Sequence, residues 1–434
     1  MSLESIQIMK NILLGVLLLL LSSYSSKNSK NTCDEGSFAA GNYTLLKNAT
    51  IFDGMSEEVL TNYSVLIKDD IIYDVAPDSL IRTPKKVKII ALENRLLSPG
   101  LIESHGHQTF NEPWETTKIK LKKLVYAGVT GIRNMAGRVP SYNEWSKEIA
   151  EGKIIGPNIY SSVFFAGKEF FSKDGRLQKY RDFGDNPGQE DWMKIIDADT
   201  DISEAVVKAK SSGATGIKLY AYLKPEWVSA IVAEAQKQNL RVWSHAHLQL
   251  MESMDIVSLK LNSVSHATML SLTISKDNKV IKNRTGIDSS RVKIIFEKMI
   301  ENEIYFDVTL ALYYRKGEKY SDNAKKASNI VKMASEMGVP IVAGSDSNGF
   351  WNKGKIALYD ELIALVEEGG MTTYSALKSA TYNPVRLLGI DGEYGSISTG
   401  KKADIVVYDA SPLENIHNIN QIHLTLKDGI VYKQ

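Results

Sequence analysis

The sequence predicts a (β/α)8 barrel with a small β-sandwich-like domain built from both ends of the chain, and three observations support this α/β fold. The middle of the chain alternates short β-branched runs with segments of helical periodicity, giving eight strands. Both ends carry short strand-like runs that are separated by turn residues. The length of 434 residues accommodates one barrel, of about 250 residues, and an accessory domain.

The first 26 residues are typical of a signal peptide. Lys10 supplies a positive charge, residues 12–21 form an unbroken apolar run, and residues 22–26 include the small serines that a signal peptidase accepts. The apolar run is shorter than the roughly 20 residues that a membrane-spanning helix needs. We therefore predict an exported protein, periplasmic or secreted, whose mature chain has no stable membrane span; an uncleaved anchor or a buried helix is the alternative. A polar linker is predicted over residues 27–42.

The composition restricts the class of protein. Hydrophobic residues make up 43% of the chain and charged residues 24%, which is ordinary for a globular protein. The formal net charge of +1 provides no basic excess for phosphates, so nucleic acid is not an expected partner. Cys33 is the single cysteine, and no internal disulfide can form. We expect a homo-oligomer.

Two terminal regions are predicted to form the β domain. Alternating and apolar runs over residues 43–98 predict a small antiparallel sheet, and a similar set returns over residues 389–434. The predicted strands are 43–52, 64–67, 71–75, 87–91, 95–98, 395–397, 403–409 and 423–432.

The barrel is predicted over residues 99–388. Its strands are 101–105, 128–135, 158–164, 216–220, 241–245, 263–266, 304–308 and 339–345. Clear amphipathic helices are predicted at 203–212, 225–238, 290–302 and 323–337. A doubly wound open sheet is the alternative, but no glycine-rich phosphate loop follows any predicted strand.

Histidines stand at the end of the first predicted barrel strand. His105 and His107 are two positions apart, so in a strand both imidazoles face the same side. The carboxyl ends of the strands form the catalytic face of such barrels. Two imidazoles on one side at this edge are half of a metal site.

Four further residues with metal-binding potential end other strands. Lys218 ends the fourth strand, His245 the fifth, His266 the sixth and Asp346 the eighth. Each alone has an ordinary explanation, as a core histidine, a paired lysine or a helix cap. Their joint placement favours a shared site, since five of the seven histidines, the four named so far and His247, lie at or next to these strand ends.

At these residues the chain resembles the amidohydrolase superfamily, in the branch of imidazolonepropionase-like proteins and metal-dependent Xaa-Pro or Xaa-Arg/Lys dipeptidases. The resemblance extends from residue 43 to residue 434. Its carriers are PGLIESHGH (99–107), GIKLY (216–220), SHAH (244–247), SHA (265–267), AGSD (343–346), ATYNP (380–384), GSI (395–397) and GKKADIVV (400–407).

The resemblance implies a site for two divalent ions. Imidazole and carboxylate ligands make zinc the expected metal, with Mn²⁺, Co²⁺ or Fe²⁺ as alternatives. His105 and His107 would hold the more buried ion, and His245 and His266 the outer one. Lys218 would be carboxylated to N6-carboxylysine and bridge both ions, because a carbamate is an oxygen ligand whereas an ammonium is not. Asp346 would bind the buried ion and act as the catalytic general base.

The implied activity is hydrolysis of a C–N amide bond in a small peptide or N-acyl amino acid by a metal-bridging hydroxide. Hydrolysis of a cyclic amide, lactone or carbamate at the same centre is the alternative, and a non-catalytic exported binding protein is a remote one. Deaminases of this superfamily tend to have Glu where this chain has His247, and they lack the bridging lysine; Lys218 therefore favours the amide hydrolase.

Substrate contacts are expected from Tyr220, His247 and Arg133. Three long segments, 166–201, 269–289 and 311–323, should cover the barrel mouth and carry basic and tyrosine side chains that could bind a carboxylate. The chain departs from the family at Glu103 and Asn134, where Asp is usual, and it lacks a His-rich loop after the third strand. These departures argue against transferring any one relative's substrate.

Overall fold

The computed structural model of the protein describes residues 38–108, 113–274, 280–282, 288–314, 321–351 and 354–433. The predicted signal peptide and most of the predicted linker lie outside the described residues. From Gly41 onward the chain forms one compact unit. Among the described residues there is no helix both long and apolar enough to cross a membrane.

Eight parallel strands form the central barrel, as predicted. They are Leu101–Gly106, Val129–Asn134, Asn158–Gly167, Gly216–Leu219, Arg241–His245, Ser263–Ser265, Tyr305–Asp307 and Ile341–Val342. Each strand is hydrogen-bonded in parallel to the next. The eighth strand approaches the first through Ser104 N–H donating to the Ala343 carbonyl at 2.9 Å. The (β/α)8 barrel is thus confirmed, and its nearly complete closure brings the first and last strand ends together.

Helices alternate with the barrel strands and pack around them. Their bounds are Trp114–Tyr126, Val139–Ala150, Lys168–Lys173, Gln178–Asp182, Ile202–Ser211, Pro225–Lys237, Ser253–Ser258, Ser289–Glu301, Asp322–Met337, Ala357–Glu367, Thr373–Ser379 and Tyr382–Leu388. The four predicted helices are found within about two residues of their expected ends, the usual uncertainty of a helix boundary. Local sequence explains their starts: the Asp201 carboxylate, for example, accepts from Glu204 N–H at 2.9 Å and caps its helix.

The two ends of the chain build a second sheet of eight strands. Its strands are Tyr43–Ile51, Leu60–Lys68, Ile71–Pro77, Lys88–Ala91, Leu96–Pro99, Ile405–Tyr408, Ile422–Lys427 and Ile430–Tyr432. Leu97 pairs with Val407, which joins the N-terminal part to the C-terminal part. An apolar core of its own, including Leu46, Ile405 and Leu424, is buried against this sheet. The predicted assembly from both termini is therefore confirmed.

The pairing within this sheet differs from the antiparallel prediction. Tyr43–Ile51 pairs in parallel with both Lys88–Ala91 and Leu96–Pro99 along one edge. The opposite edge of Tyr43–Ile51 is already occupied by the antiparallel strand Leu60–Lys68. The chain crosses to the free edge, and such a crossover places the later strands parallel to the first.

The prediction of a strand at 395–397 is wrong, because these residues form no strand. Gly395 has φ +85°, and a Cβ at this position would lie 2.2 Å from Val385. Ile397 makes a single backbone bond, to the Asp53 carbonyl at 3.1 Å. The segment therefore bends against the helix Tyr382–Leu388 instead of extending along the sheet.

Short hairpins that the sequence did not indicate flank the barrel. Met193–Ile196 pairs in parallel with the third barrel strand and antiparallel with Gln189–Glu190. Two further hairpins join Leu272–Ile274 to Val280–Lys282 and Phe350–Trp351 to Lys355–Ile356. The hairpin that contains Met193–Ile196 lies beside the carboxyl end of the third barrel strand, at the predicted catalytic face.

Candidate active site

A cavity of about 250 Å³ opens at the carboxyl ends of the barrel strands. Its lining includes all six residues that were predicted as metal ligands: His105, His107, Lys218, His245, His266 and Asp346. These residues come from five strand ends, so the fold brings together side chains that are far apart in the sequence. Tyr220, one of the predicted substrate contacts, lines the same cavity.

His105, His107 and Asp346 converge closely enough to hold one metal ion. The Asp346 Oδ1 atom lies 3.1 Å from His107 Nε2 and 3.6 Å from His105 Nε2. The ligand atoms that these three side chains offer all lie within 4.8 Å of one another. Two imidazoles and a carboxylate are the donor set that suits zinc and similar divalent ions.

His245 and His266 continue the row of imidazoles. Their ring centroids are 5.0 Å apart, and those of His266 and His105 are 5.1 Å apart. Burial lowers the pKa of His266 to about 3 and that of His245 well below its ordinary value. Both rings are therefore neutral at physiological pH, which is the form that binds metal ions.

Lys218 is buried, with 1% of the residue exposed. Its Nζ donates a hydrogen bond to Ser265 Oγ at 3.2 Å. Burial lowers the pKa of the Lys218 ammonium to about 7. A considerable fraction of the amine is thus uncharged near neutral pH, and the uncharged amine is the form that can react with CO₂.

Asp346 carries its negative charge over the whole physiological pH range. Burial disfavours the charged form, but the nearby His105 and His107 side chains outweigh it and hold the pKa well below its ordinary value. The residue also has φ +52°, which is uncommon outside glycine.

Three successive barrel strands end in residues with left-handed backbone conformations. His266 has φ +76°, Thr309 has φ +49° and Asp346 has φ +52°. Such conformations are disfavoured for residues with a Cβ, and they concentrate at functional sites where the surrounding contacts enforce them. Here they follow the sixth, seventh and eighth strands, at the edge of the cavity.

Asp307 contacts several residues of the site and was not predicted from the sequence. It ends the seventh barrel strand, is fully buried, and its Oδ2 lies 2.6 Å from His105 Nδ1. Ser265 Oγ donates to the same oxygen at 3.0 Å. Burial alone would raise the pKa of Asp307, but His105 and Arg133 outweigh it and lower the pKa to about 2. A carboxylate at Nδ1 fixes the imidazole so that Nε2 faces the cavity.

Arg133 was expected to contact the substrate, but the structure places it in the barrel interior. Its side chain is fully buried inside the barrel and does not line the cavity. The guanidinium donates to Asp307 Oδ2 at 2.8 Å, to the Ser104 carbonyl at 2.6 Å and to Ser263 Oγ at 2.8 Å. Arg133 therefore neutralises Asp307 in the barrel interior, beyond the reach of a substrate.

His247 also lies away from the cavity lining. It is 5% exposed, and its Nε2 has no hydrogen-bond partner among the described residues. Burial lowers its pKa, Glu252 opposes this shift, and Arg291 adds to it. The two-residue spacing after His245 does not bring this ring to the cavity because the chain leaves the strand at His245.

Glu103 and Asn134, the two positions where Asp is usual in the family, both have structural roles. Glu103 accepts from the backbone N–H groups of His105 and Ser345 at 2.9 and 2.8 Å, and from Ser345 Oγ at 2.6 Å, so it ties the first strand to the eighth. Burial raises its pKa to about 6. Asn134 accepts from Gln108 N–H at 2.8 Å and orders the turn after His107.

One of the three segments predicted to cover the barrel mouth does so. Residues 166–201 contribute five members of the cavity lining: Phe170, Arg176, Leu177, Lys179 and Tyr180. The Arg176 guanidinium pairs with Asp174 and donates to the Tyr220 hydroxyl at 3.2 Å. Parts of the other two segments, at 275–279, 283–287 and 315–320, lie outside the described residues.

Residues 96–431 match the amidohydrolase family. The chain belongs to the amidohydrolase family. An ochratoxinase from Aspergillus niger is 27% identical to this amidohydrolase over 407 residues, covering 83% of this chain and 80% of the relative. A 5-methylthioadenosine/S-adenosylhomocysteine deaminase from Acetivibrio thermocellus is 25% identical over 386 residues, covering 84% and 85% of the two chains.

The fold of this amidohydrolase is shared with a solved Xaa-Pro dipeptidase that has methionine bound in its active site. The two structures superpose with a TM-score of 0.71 at 23% identity, covering 91% of this chain and 100% of the dipeptidase. The predicted amidohydrolase membership is confirmed, and it indicates a hydrolase that acts on carbon–nitrogen bonds, whereas the dipeptidase-like branch stays a prediction.

We expect Asp307→Asn to weaken metal binding by about 10- to 100-fold, because the neutral amide leaves Arg133 without its counter-ion and orients His105 less firmly. Competition with a chelator for zinc measures the affinity. Asp409→Asn is the matched control, since Asp409 also contacts an arginine and a histidine, Arg95 and His423. These contacts lie in the sheet that is built from the two ends of the chain, here called the terminal sheet. Equal affinity of both variants and wild type would contradict the role of Asp307.

Proposed function

We propose that this amidohydrolase is a binuclear metal-dependent hydrolase that cleaves the amide bond of a small peptide or N-acyl amino acid. The observation that carries the proposal is the convergence of His105, His107 and Asp346 in one cavity with Lys218 and two further histidines. Zinc is the expected metal, with carboxylated Lys218 between the two ions. Bound ions would polarise the substrate carbonyl and lower the pKa of water.

Asp346 is suited to the role of general base. It is ionised at neutral pH, one of its oxygens lies beside His107 Nε2, and the side chain lines the cavity. A carboxylate in this position can accept a proton from the attacking water and deliver it to the leaving nitrogen.

Tyr220 is suited to bind the substrate carbonyl. Its hydroxyl oxygen accepts a hydrogen bond from Arg176, which leaves the hydroxyl hydrogen available for a second partner. The centroids of the Tyr220 and His245 rings are 4.5 Å apart, so Tyr220 lies beside a residue of the proposed metal site. A donor placed there would stabilise negative charge that develops on a carbonyl oxygen.

The cavity favours a small anionic substrate with an apolar part. Two side-chain cations, Arg176 and Lys179, stand at its rim, whereas Phe164 and Phe170 provide an apolar wall. A carboxylate on the substrate would be attracted by the cations and the proposed metal ions together. The Xaa-Pro dipeptidase that shares this fold acts, by its name, on a small peptide, which supports this substrate class. We also propose that the protein is exported, on the basis of residues 1–26.

The direct test combines elemental analysis with a substrate library. We expect about two divalent ions per chain and hydrolysis of members of a library of dipeptides and N-acyl amino acids. A parallel set of cyclic amides, lactones and carbamates distinguishes the alternative reaction at the same centre. A metal-free protein that is fully active would contradict the proposal, and hydrolysis of the second set alone would replace it with the alternative.

Lys218→Ala should abolish activity and lower the metal content, since the bridging ligand is lost. Short carboxylic acids added to the variant should restore part of the activity by occupying the space of the carbamate. Metal content and turnover are measured with and without the acid, and Lys173→Ala, outside the cavity lining, is the control. A Lys218→Ala enzyme with full activity would refute the bridging role.

Asp346→Asn should retain most of the bound metal and lose turnover, because the amide can still offer an oxygen but cannot accept the proton. The expected loss in kcat is about 10²- to 10⁴-fold, the usual range for a general base. Steady-state kinetics on the best substrate of the library, with metal content measured in parallel, provides the check. An unchanged kcat would remove Asp346 as the base.

A further inference from the structure

A buried carboxylate anchors the segment that follows the seventh barrel strand. Glu361 lies on the helix Ala357–Glu367 and is fully buried. Its Oε1 accepts from Leu310 N–H at 2.9 Å, and its Oε2 accepts from Ala311 N–H at 2.6 Å. Two adjacent backbone donors on one carboxyl group fix the start of this segment.

The residue just before these two donors is held in an unfavourable conformation. Thr309 has φ +49°, although a β-branched side chain strongly disfavours the left-handed region. It is fully buried and precedes the 3₁₀ turn Leu310–Tyr313. The Glu361 contacts on the next two residues are of the kind that can maintain such a conformation against its intrinsic preference.

The conformation of Thr309 directs its hydroxyl at a histidine of the cavity. Thr309 Oγ1 lies 3.0 Å from His266 Nδ1. In a neutral imidazole one nitrogen carries hydrogen and the other offers a lone pair. An Nδ1–H group that donates to Thr309 leaves the Nε2 lone pair available as a ligand, and His266 also lines the cavity.

We propose that Glu361 and Thr309 are positioning residues for the outer metal ion, with Glu361 fixing Thr309 and Thr309 fixing His266. The inference rests on the proposed binuclear function. Glu361 does not line the cavity, so it acts on the site only through Thr309 and the backbone of Leu310 and Ala311. The helix after the eighth strand thereby controls a ligand on the sixth strand.

The two proposed ions depend on different positioning residues. Asp307 holds His105 of the inner set, whereas Thr309 holds His266 of the outer set. Both positioning side chains come from the end of the seventh strand, two residues apart. Disturbing Glu361 should therefore weaken the outer ion while the inner ion keeps its affinity.

The test is a two-site titration of the metal-free full chain with zinc, in competition with a chelator. Glu361→Gln and Thr309→Val should each weaken one of the two sites by about 10- to 100-fold. Thr309→Ser, which keeps the hydroxyl, should bind both ions as wild type does. His107→Ala and His266→Ala, titrated in parallel, identify which of the two affinities belongs to the inner and outer ion.

Two further measurements distinguish positioning from general stability. Asp404→Asn is the matched control, since Asp404 is a buried carboxyl that accepts a backbone N–H, from Asp428, in the terminal sheet. It should lower thermal stability without changing either zinc affinity. The double variant of Glu361→Gln and Thr309→Val should be no weaker than the more affected single variant, because both act on one chain of contacts.

The outcomes separate the two proposals. A wild-type protein that binds one ion or none overturns the binuclear function and this inference with it. A wild-type protein with two ions, together with Glu361→Gln or Thr309→Val variants of unchanged outer affinity, overturns the inference alone. Independent, additive losses in the double variant would also overturn the connection between Glu361 and Thr309.

Discussion

The cavity depends on one buried ionic contact at the centre of the barrel. The carboxylate of Asp307 accepts from Arg133 and Ser265 and contacts His105, all within 3.0 Å and all shielded from solvent. A buried charge is tolerated only when it is paired and hydrogen-bonded, and removing one partner leaves the other uncompensated. This requirement fixes His105 and, through Ser265, the surroundings of Lys218.

The cavity also depends on the close approach of the first and eighth barrel strands. Gly344 permits it, because a Cβ there would lie 2.5 Å from Asp307 Oδ1 and 2.6 Å from His105 Cβ. Glu103 then joins the two strands through Ser345. The barrel closure, the inner histidines and Asp346 are consequently parts of one packed unit, and this explains how a rigid donor set can be preformed on a strained backbone.

Local rules predicted much of this architecture. His105 and His107 could be placed together because side chains two apart share a strand face, and Lys218, His245 and His266 because parallel strand ends meet at one edge. Arg133 and His247 could not be placed by such rules. The partner of Arg133 is 174 residues away, and the chain turns out of the strand just before His247. Asp307 stands at the end of a predicted strand, but its contacts with Arg133 and His105 arise only across the folded barrel, and Glu361 gave no local signal.

The most direct measurement is a crystal structure of the metal-loaded protein with anomalous data at the zinc edge. We expect two peaks in the cavity: one at ligand distance from His105, His107 and Asp346, and one at ligand distance from His245 and His266. Continuous density should extend from Lys218 Nζ to a group that contacts both peaks. A single peak, or an unmodified Lys218 without contact to either ion, would contradict the account.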